Sequence, residues 1–592
     1  MRMPCSTLVG LRGFGLLIAF GATAAFVAHA CPAAETGVTL ARFVPADAGL
    51  CVEVTDLARH WDTFRHSPLG TRLQDFPPLR QFLTDNQAAV DALANELRDQ
   101  TGLSPHDLLH DLLGHRLAVA VWPGTAADPD ATGPALALVE CQKSQVLDQV
   151  VARLLAAERA AGRRVVTTRW KGADRSCAIY RIETSREQPS LYLTTIDQLG
   201  IVATSDKLVA QVLELHAGNK EVASLAERES FQAATERLNP QAAVRAFVDP
   251  PAWKSTIAAQ RGLSGDLAAT AGSWLSSCFE DSDYLALSCQ IGEQIVVEGF
   301  LHRREAPSVA RIDQERDNQP TLAERLPAGA VAAFAGRIDL PRLLATLFRE
   351  GADAKPSADE QNVAMHKHVA LRALSALVAE RGRDAVAALV PCKEDVNAQA
   401  PSSAKVDWIV GFDTHSLLAD DRLALGQRLE PILRGGLTAA IMMYNRQGAT
   451  MTIESAEEDG VPLTSVGGLA LMGQGSTATF SLVNDYFWAG TSRDAVRETA
   501  RLDRAQSLAE NARYQALENP RLARPSHLAY LDLAAVRRLF TAGSDADKPA
   551  EHSGRASDLA EITALADRLL IELQIDEAGI AVSATVVADD AP

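Results

Sequence analysis

The sequence holds no C-x-x-C pair, no H-E-x-x-H, no G-x-S-x-G and no G-x-x-x-x-G-K-[ST]. Zinc ribbons and thioredoxin-type redox pairs thereby lose their signature. So do zincins, the hydrolase nucleophile elbow and the phosphate loop. There is no basic stretch either. With 57 Lys+Arg against 75 Asp+Glu the net charge is −18, and nucleic acid, whose affinity comes from Lys and Arg neutralising phosphates, is excluded as an expected partner. After residue 30 no run of 18 apolar residues occurs, so no membrane span is expected in a mature chain. What is present is ordinary globular composition, 47% hydrophobic and 22% charged over 592 residues. Wholesale disorder is excluded, and there is chain enough for several cores.

Residues 1–30 read as a secretory signal. Arg2 and Arg12 make a positive start without an acid, Gly13 to Val27 is a short apolar core, and Ala28-His29-Ala30 is an A-x-A cleavage site. Export with cleavage after Ala30 is expected, to the periplasm or the exterior. The alternatives are an uncleaved N-terminal anchor and a lipoprotein through Cys31. Removal of Arg2 and Arg12 takes the charge of −18 to −20. Cleavage also removes Cys5 and leaves seven of the eight cysteines. Cys51, Cys141, Cys177 and Cys289 sit in apolar strand-like runs and read as small hydrophobes. Cys278 and Cys289 are the nearest pair for a disulfide.

Four landmarks recur in order. Pro45-Ala46 leading to Asp56-Leu57 returns as Pro327-Ala328 leading to Asp339-Leu340. Leu191 to Asp197, then Thr204-Ser205, is matched by Thr479 to Asn484, then Thr491-Ser492. Ser224-Leu225-Ala226-Glu227 with Phe231-Gln232-Ala233 returns as Ser507-Leu508-Ala509-Glu510 with Tyr514-Gln515-Ala516. Gln290-Ile291 with Glu293 returns as Gln574-Ile575 with Glu577. The spacing stays between 282 and 287 residues, which points to an internal duplication. The expected organisation is a first repeat over 31–304, a linker over 305–320 and a second repeat over 321–592. A shorter version of the opening, Pro then strand then Asp, recurs at Pro240–Asp249 and Pro525–Asp532. In all four copies the Asp is read as a helix cap rather than a catalytic acid.

Alternation and β-branched content predict ten strands in the first half, near 50–54, 116–121, 135–139, 164–169, 178–183, 191–195, 200–203, 244–248, 284–291 and 294–301. Hairpin-sized gaps require antiparallel pairing. Helices are predicted over 79–100, 144–161, 207–216 and 224–238, and in the second half over 362–390 and 417–444. Helices come between groups of strands, so the fold class is α+β: two tandem halves, each a mainly antiparallel sheet with packed helices.

The segment Ser104 to His115 is the most tempting chemistry. His106 and His110 lie one turn apart beside Asp107, a pattern that mimics a zinc site, with Asp111 or His115 as the nearest third ligand. Ser104 as a cap, Pro105 at the first turn and a Leu108, Leu109, Leu112, Leu113 stripe explain the same residues as a structural helix. Asp128 to Gly133 resembles a calcium loop that lacks the closing Glu. His366-Lys367-His368 puts its imidazoles on different faces. Neither a catalytic residue nor a cofactor is assigned, and His106, His110 and His115 stay as the metal candidates.

The phrase Phe43-Val44-Pro45-Ala46-Asp47 to Asp56-Leu57, with the Gly102-Leu103 to Leu109 helix before Arg116–Val121, resembles a family of exported bacterial proteins of unknown function, present here as two divergent copies. The second copy departs from it at Gly329, where the first has Asp47. The resemblance implies a structural role for the His106/His110 helix and brings no catalytic residue or cofactor. The function expected is a non-enzymatic binding or scaffold protein of the cell envelope with an envelope or extracellular protein as partner. An exported hydrolase with a non-local site, or a small-molecule or lipid carrier using a groove between the halves, are the alternatives. Mass spectrometry of the native N-terminus should find Cys31 first and unmodified. An intact Met1 would contradict export by cleavage, and a lipid on Cys31 would make the chain a lipoprotein.

Overall fold

The structure, a computed structural model, describes residues 39–124, 133–172, 175–183, 190–254, 281–304, 321–338, 383–392, 406–413, 450–468, 477–483, 486–522, 525–542, 563–576 and 578–589, with Gly435, Thr438, Ile441, Met442 and Asn445. The signal segment with Cys31, Cys278, the expected linker 305–320, the Asp128 loop as far as Thr132, and His366 and His368 lie outside the described residues. By contact the chain forms two compact units, residues 1–310 with 576–592, and residues 311–575. The protein is mixed helix and strand, with antiparallel pairing throughout the sheet.

The first unit carries β1 (Leu50–Thr55), β2 (Arg116–Val121), β3 (Ala135–Glu140), β4 (Arg164–Lys171), β5 (Ser176–Glu183), β6 (Leu191–Ile196), β7 (Leu199–Ala203), β8 (Val244–Val248), β9 (Ser282–Ile291) and β10 (Gln294–Arg303). All ten fall where alternation places them. The second unit carries β11 (Ala332–Ile338), β12 (Arg383–Pro391), β13 (Val406–Asp413), β14 (Thr452–Glu458), β15 (Val461–Gly467), β16 (Thr477–Val483), β17 (Tyr486–Gly490), β18 (His527–Asp532) and β19 (Arg568–Ile575). The last strand, β20 (Gly579–Val587), pairs with β10 and belongs to the first unit.

In the first unit the order is β4-β5-β6-β7-β3-β2-β1-β8-β9-β10-β20. In the second it is β14-β15-β16-β17-β13-β12-β11-β18-β19. Among the described residues the longer helices of the first unit are α1 (Leu57–His66), α2 (Pro68–Asp75), α3 (Pro77–Asp85), α4 (Gln87–Thr101), α5 (Ser144–Ala160), α6 (Asp206–His216) and α7 (Glu229–Arg237). One sheet face, with Cys51, Leu136, Leu138, Ile201 and Phe247, is buried under the 3-10 turn Leu40–Phe43, α6 and α7. The other, with Val54, Leu117, Val139 and Val244, is buried under α1, Leu108–Leu113 and α5. α3 and α4 bury no residue at all, and Phe82 stands exposed on them.

Several expectations need correction. The predicted helix 224–238 is a 3-10 turn, Leu225–Glu227, followed by α7, with Arg228 in extended conformation between them, and Asp249 gives its side chain to Arg228 rather than to a cap. The predicted helix over 362–390 is, from Arg383 onward, strand β12. Its Ala-rich sequence favours helix locally, but pairing on both sides with β11 and β13 overrides propensity. The predicted helix 79–100 is two helices that meet at Asn86, whose φ of −107° leaves the helical region. Asp56 does not cap α1: it takes a left-handed φ of 50°, and its side chain makes no cap bond. Asp532 does cap, accepting the Ala535 N–H at 2.8 Å, where α9 (Leu533–Ala542) begins; α8 (Arg493–Ala500) precedes it in the second unit.

Both units fasten their opening phrase in the same way. Leu225 N–H donates to Val44 C=O at 2.7 Å, and Leu508 N–H to Leu326 C=O at 2.7 Å. Pro45 bridges Ser224, and Pro327 bridges Ser507. Asp249 takes the Arg228 guanidinium at 2.7 Å, and Asp532 that of Arg513 at 2.8 Å. Thr204 Oγ1 accepts the Ala135 N–H at 2.9 Å, and Thr491 Oγ1 the Trp408 N–H at 3.1 Å.

The second unit buries a carboxylate. Glu572 on β19 is 2% exposed and accepts the Asn519 N–H at 3.1 Å. Burial pushes its pKa up to about 7, the Asn519 bond draws it down, and neighbouring Glu518 adds to the rise. Glu518 in turn meets the Tyr514 hydroxyl, and burial raises it as well. The fold favours the protonated acid, so Glu572 costs nothing below its ordinary range and destabilises increasingly as pH rises through 7. Glu572→Gln should match the parent near pH 4 and exceed it at pH 8 by about 2–3 kcal/mol in urea unfolding. An unchanged pH slope would contradict a buried, neutral Glu572.

Candidate functional site

The predicted metal candidates do not converge. Ser104 caps its helix through the Asp107 N–H at 3.1 Å, and Leu108, Leu112 and Leu113 are buried beneath a π-helical stretch. His106 and His110 stack at 4.2 Å between ring centroids. His110 Nε2 lies 3.6 Å from Asp62, and Asp111 meets Lys143 at 3.1 Å. His115 turns elsewhere, between Asp56 at 3.8 Å and Glu140 at 3.7 Å. Among the described residues no three His, Cys, Asp or Glu side chains group to hold a metal ion. Among them, too, no helix is long and apolar enough to cross a membrane.

A polar cleft of about 330 Å³ opens in the first unit. Its construction starts at Glu53 on β1, whose carboxylate accepts the Ala41 N–H at 2.7 Å and the Thr39 hydroxyl. That anchors the 3-10 turn Leu40–Phe43, which buries Leu40, Ala41 and Phe43 and leaves Arg42 outside. The Arg42 guanidinium lies 4.4 Å from the centre of the Phe43 ring, and His216, at the end of α6, stacks on Phe43 at 5.3 Å. α6 buries Leu208, Val209, Val212 and Leu213, which brings His216 inward one turn later. Asp197 stands in the tight β6–β7 turn with φ 53°, a conformation Asp tolerates. It holds Arg175 and lies 3.5 Å from His216 Nε2.

Burial is the largest influence on His216 and lowers its pKa. Asp197 raises it in part, while Arg175 and Arg42 lower it further. His216 Nδ1 is buried without a hydrogen-bond partner. Glu140, at the end of β3, lines the cleft and accepts from Arg116 at 3.2 Å. No local spacing in the sequence announces this group: Arg42, Asp197 and His216 come from three separate elements. The strand-to-helix change near Thr204 was the sole sequence signal close to it.

In the second unit one sheet face is apolar and exposed among the described residues. Across β13, β12, β11, β18 and β19 one row reads Val410, Ala387, Phe334, Ala529, Ile571, and the next reads Trp408, Leu389, Ala332, Leu531, Leu569. Paired and alternate residues share a face. Phe334 is 41% exposed, Leu389 42%, Val410 38% and Ile571 39%. The intervening residues Ile409, Ala388, Ala333, Tyr530 and Leu570 are buried on the opposite side. The alanines make a floor, and the larger side chains enclose a shallow depression of about 420 Å³.

The described cysteines, Cys51, Cys141, Cys177, Cys289 and Cys392, are free thiols. Burial pushes Cys289 up to about 11 and raises Cys51 well above its ordinary value, with Glu53 adding to the latter. Such thiols are protonated and inert at neutral pH.

No family model matches the chain, and no curated protein matches it. A solved structure described as crystal form III of TP0453 aligns with 47% of this chain and 88% of its own, at 9% identity and a TM-score of 0.22. A likeness at that score carries no argument about fold or function.

Proposed function

We propose that the chain is an exported, non-enzymatic binding or scaffold protein of the cell envelope, built from two divergent copies of one α+β fold. The apolar face of the second unit is its recognition surface for a protein partner. The observation that carries this reading is the open face itself: two adjacent rows of apolar side chains with four large ones, Val410, Leu389, Phe334 and Ile571, exposed across it. Contiguous apolar surface of this kind marks interaction sites, and burying the remaining two-fifths of each such side chain is worth about 0.6–1.2 kcal/mol. The duplication is supported by the constant spacing of the sequence landmarks, by the matching strand orders, and by the repeated Leu–Val and Leu–Leu main-chain bonds. Export is supported by Arg2, Arg12, the apolar core and Ala28-His29-Ala30.

A photo-crosslinking side chain placed at Val410 or Phe334, in protein made in its native host, tests the surface. A discrete adduct with a second polypeptide is expected, and Leu389→Asp should weaken it by about tenfold or more. Adducts confined to this chain's own 339–382 or 414–449, or none at all, would overturn the reading.

A further inference from the structure

We propose that the cleft of the first unit binds a small carboxylate that also carries hydroxyl groups, with Arg42 as the residue that takes the carboxylate. Arg42 lines the cleft, is exposed at its mouth and forms no ion pair among the described residues. The two lining carboxylates, Asp197 and Glu140, are already paired with Arg175 and Arg116, which stand outside the lining, so Arg42 is the lining cation left to meet an anion. Phe43 fixes the Arg42 guanidinium over its ring, so little rotamer freedom remains to be lost on binding.

The rest of the lining selects the body of the ligand. Glu140 and Asp197 keep acceptor lone pairs beyond those used by their arginines, since a carboxylate offers about four. They require donors, which hydroxyls supply. The Ser144 hydroxyl also lines the cleft and gives or takes a hydrogen bond. Burial, aided by Arg175 and Arg42 against the pull of Asp197, lowers the pKa of His216 and so disfavours a second cation beside Arg42. At about 330 Å³ the cleft sits at the small end of ligand sites, which excludes large or purely apolar occupants.

The test is calorimetric titration of the whole mature protein with gluconate, against acetate, which lacks the hydroxyls, and glucose, which lacks the charge. Gluconate should bind, with acetate and glucose weaker by about tenfold or more each. Arg42→Ala should weaken gluconate by roughly tenfold to a hundredfold, the loss of one charge-assisted hydrogen-bonding group. Arg42→Lys should restore part of it. Circular dichroism checks that the variants are folded, and Arg42, being exposed, carries no core packing. No heat with gluconate at tens of millimolar, or equal binding by parent and Arg42→Ala, would overturn the proposal. Equal affinity for gluconate and acetate would overturn the hydroxyl requirement.

Discussion

A single main-chain hydrogen bond sets the geometry on which the rest of the first unit depends. The Leu225 N–H reaches the Val44 carbonyl at 2.7 Å and, with the Pro45–Ser224 bridge, fastens the opening phrase of the unit to the Ser224–Glu227 turn. Once that is closed, Leu40, Ala41 and Phe43 cover one end of the core and Glu53 can fill its acceptor duty under them. A buried backbone group left unpaired here would cost as much as a lost hydrogen bond. Asp249 reinforces the closure by holding Arg228, which follows the turn directly. The same arrangement with Leu508, Leu326, Asp532 and Arg513 organises the second unit.

The two units differ in what they leave outside this closed core. In the first unit much of both sheet faces is covered, with Leu287 on β9 and Val297 on β10 left exposed, and polarity collects at one end, where Arg42, Asp197 and His216 meet. In the second unit the face with Phe334, Leu389, Val410 and Ile571 is open. The two units therefore present two different chemistries, a polar cleft and an apolar face. Core positions are bound to keep volume and pattern, while surface positions are freer to change. The pair Phe231–Phe247 in the first unit and Tyr514–Tyr530 in the second, both edge-on at 5.4 and 5.8 Å, show the core side of that rule.

Strands were legible because period-two alternation is a local property, and each predicted strand of the first half is present, with ends that match or extend by one or two residues. Helices α5 and α6 were legible for the same reason, through their period of 3.6. Arg383–Pro391 was not, since Asp-Ala-Val-Ala-Ala-Leu-Val suits a helix until β11 and β13 flank it. A helix after Asp56 was expected only as the stretch that Asp would cap, and α2 escaped because Pro68 interrupts the pattern. The cleft was illegible in principle. Arg42, Asp197 and His216 are separated by more than a hundred residues and then by a helix, and nothing in their local context marks them. The His106/His110 motif shows the converse, a local pattern that a capped, Leu-striped helix explains.

Hydrogen exchange at the Leu225 and Leu508 amides tests most directly whether both units rest on the same closure. Both N–H groups are expected to exchange only through opening of their whole unit, as slowly as the central strands β1 and β11. Rapid exchange of either amide, at the rate of the surrounding turns, would contradict a shared organising bond and with it the common plan of the two units.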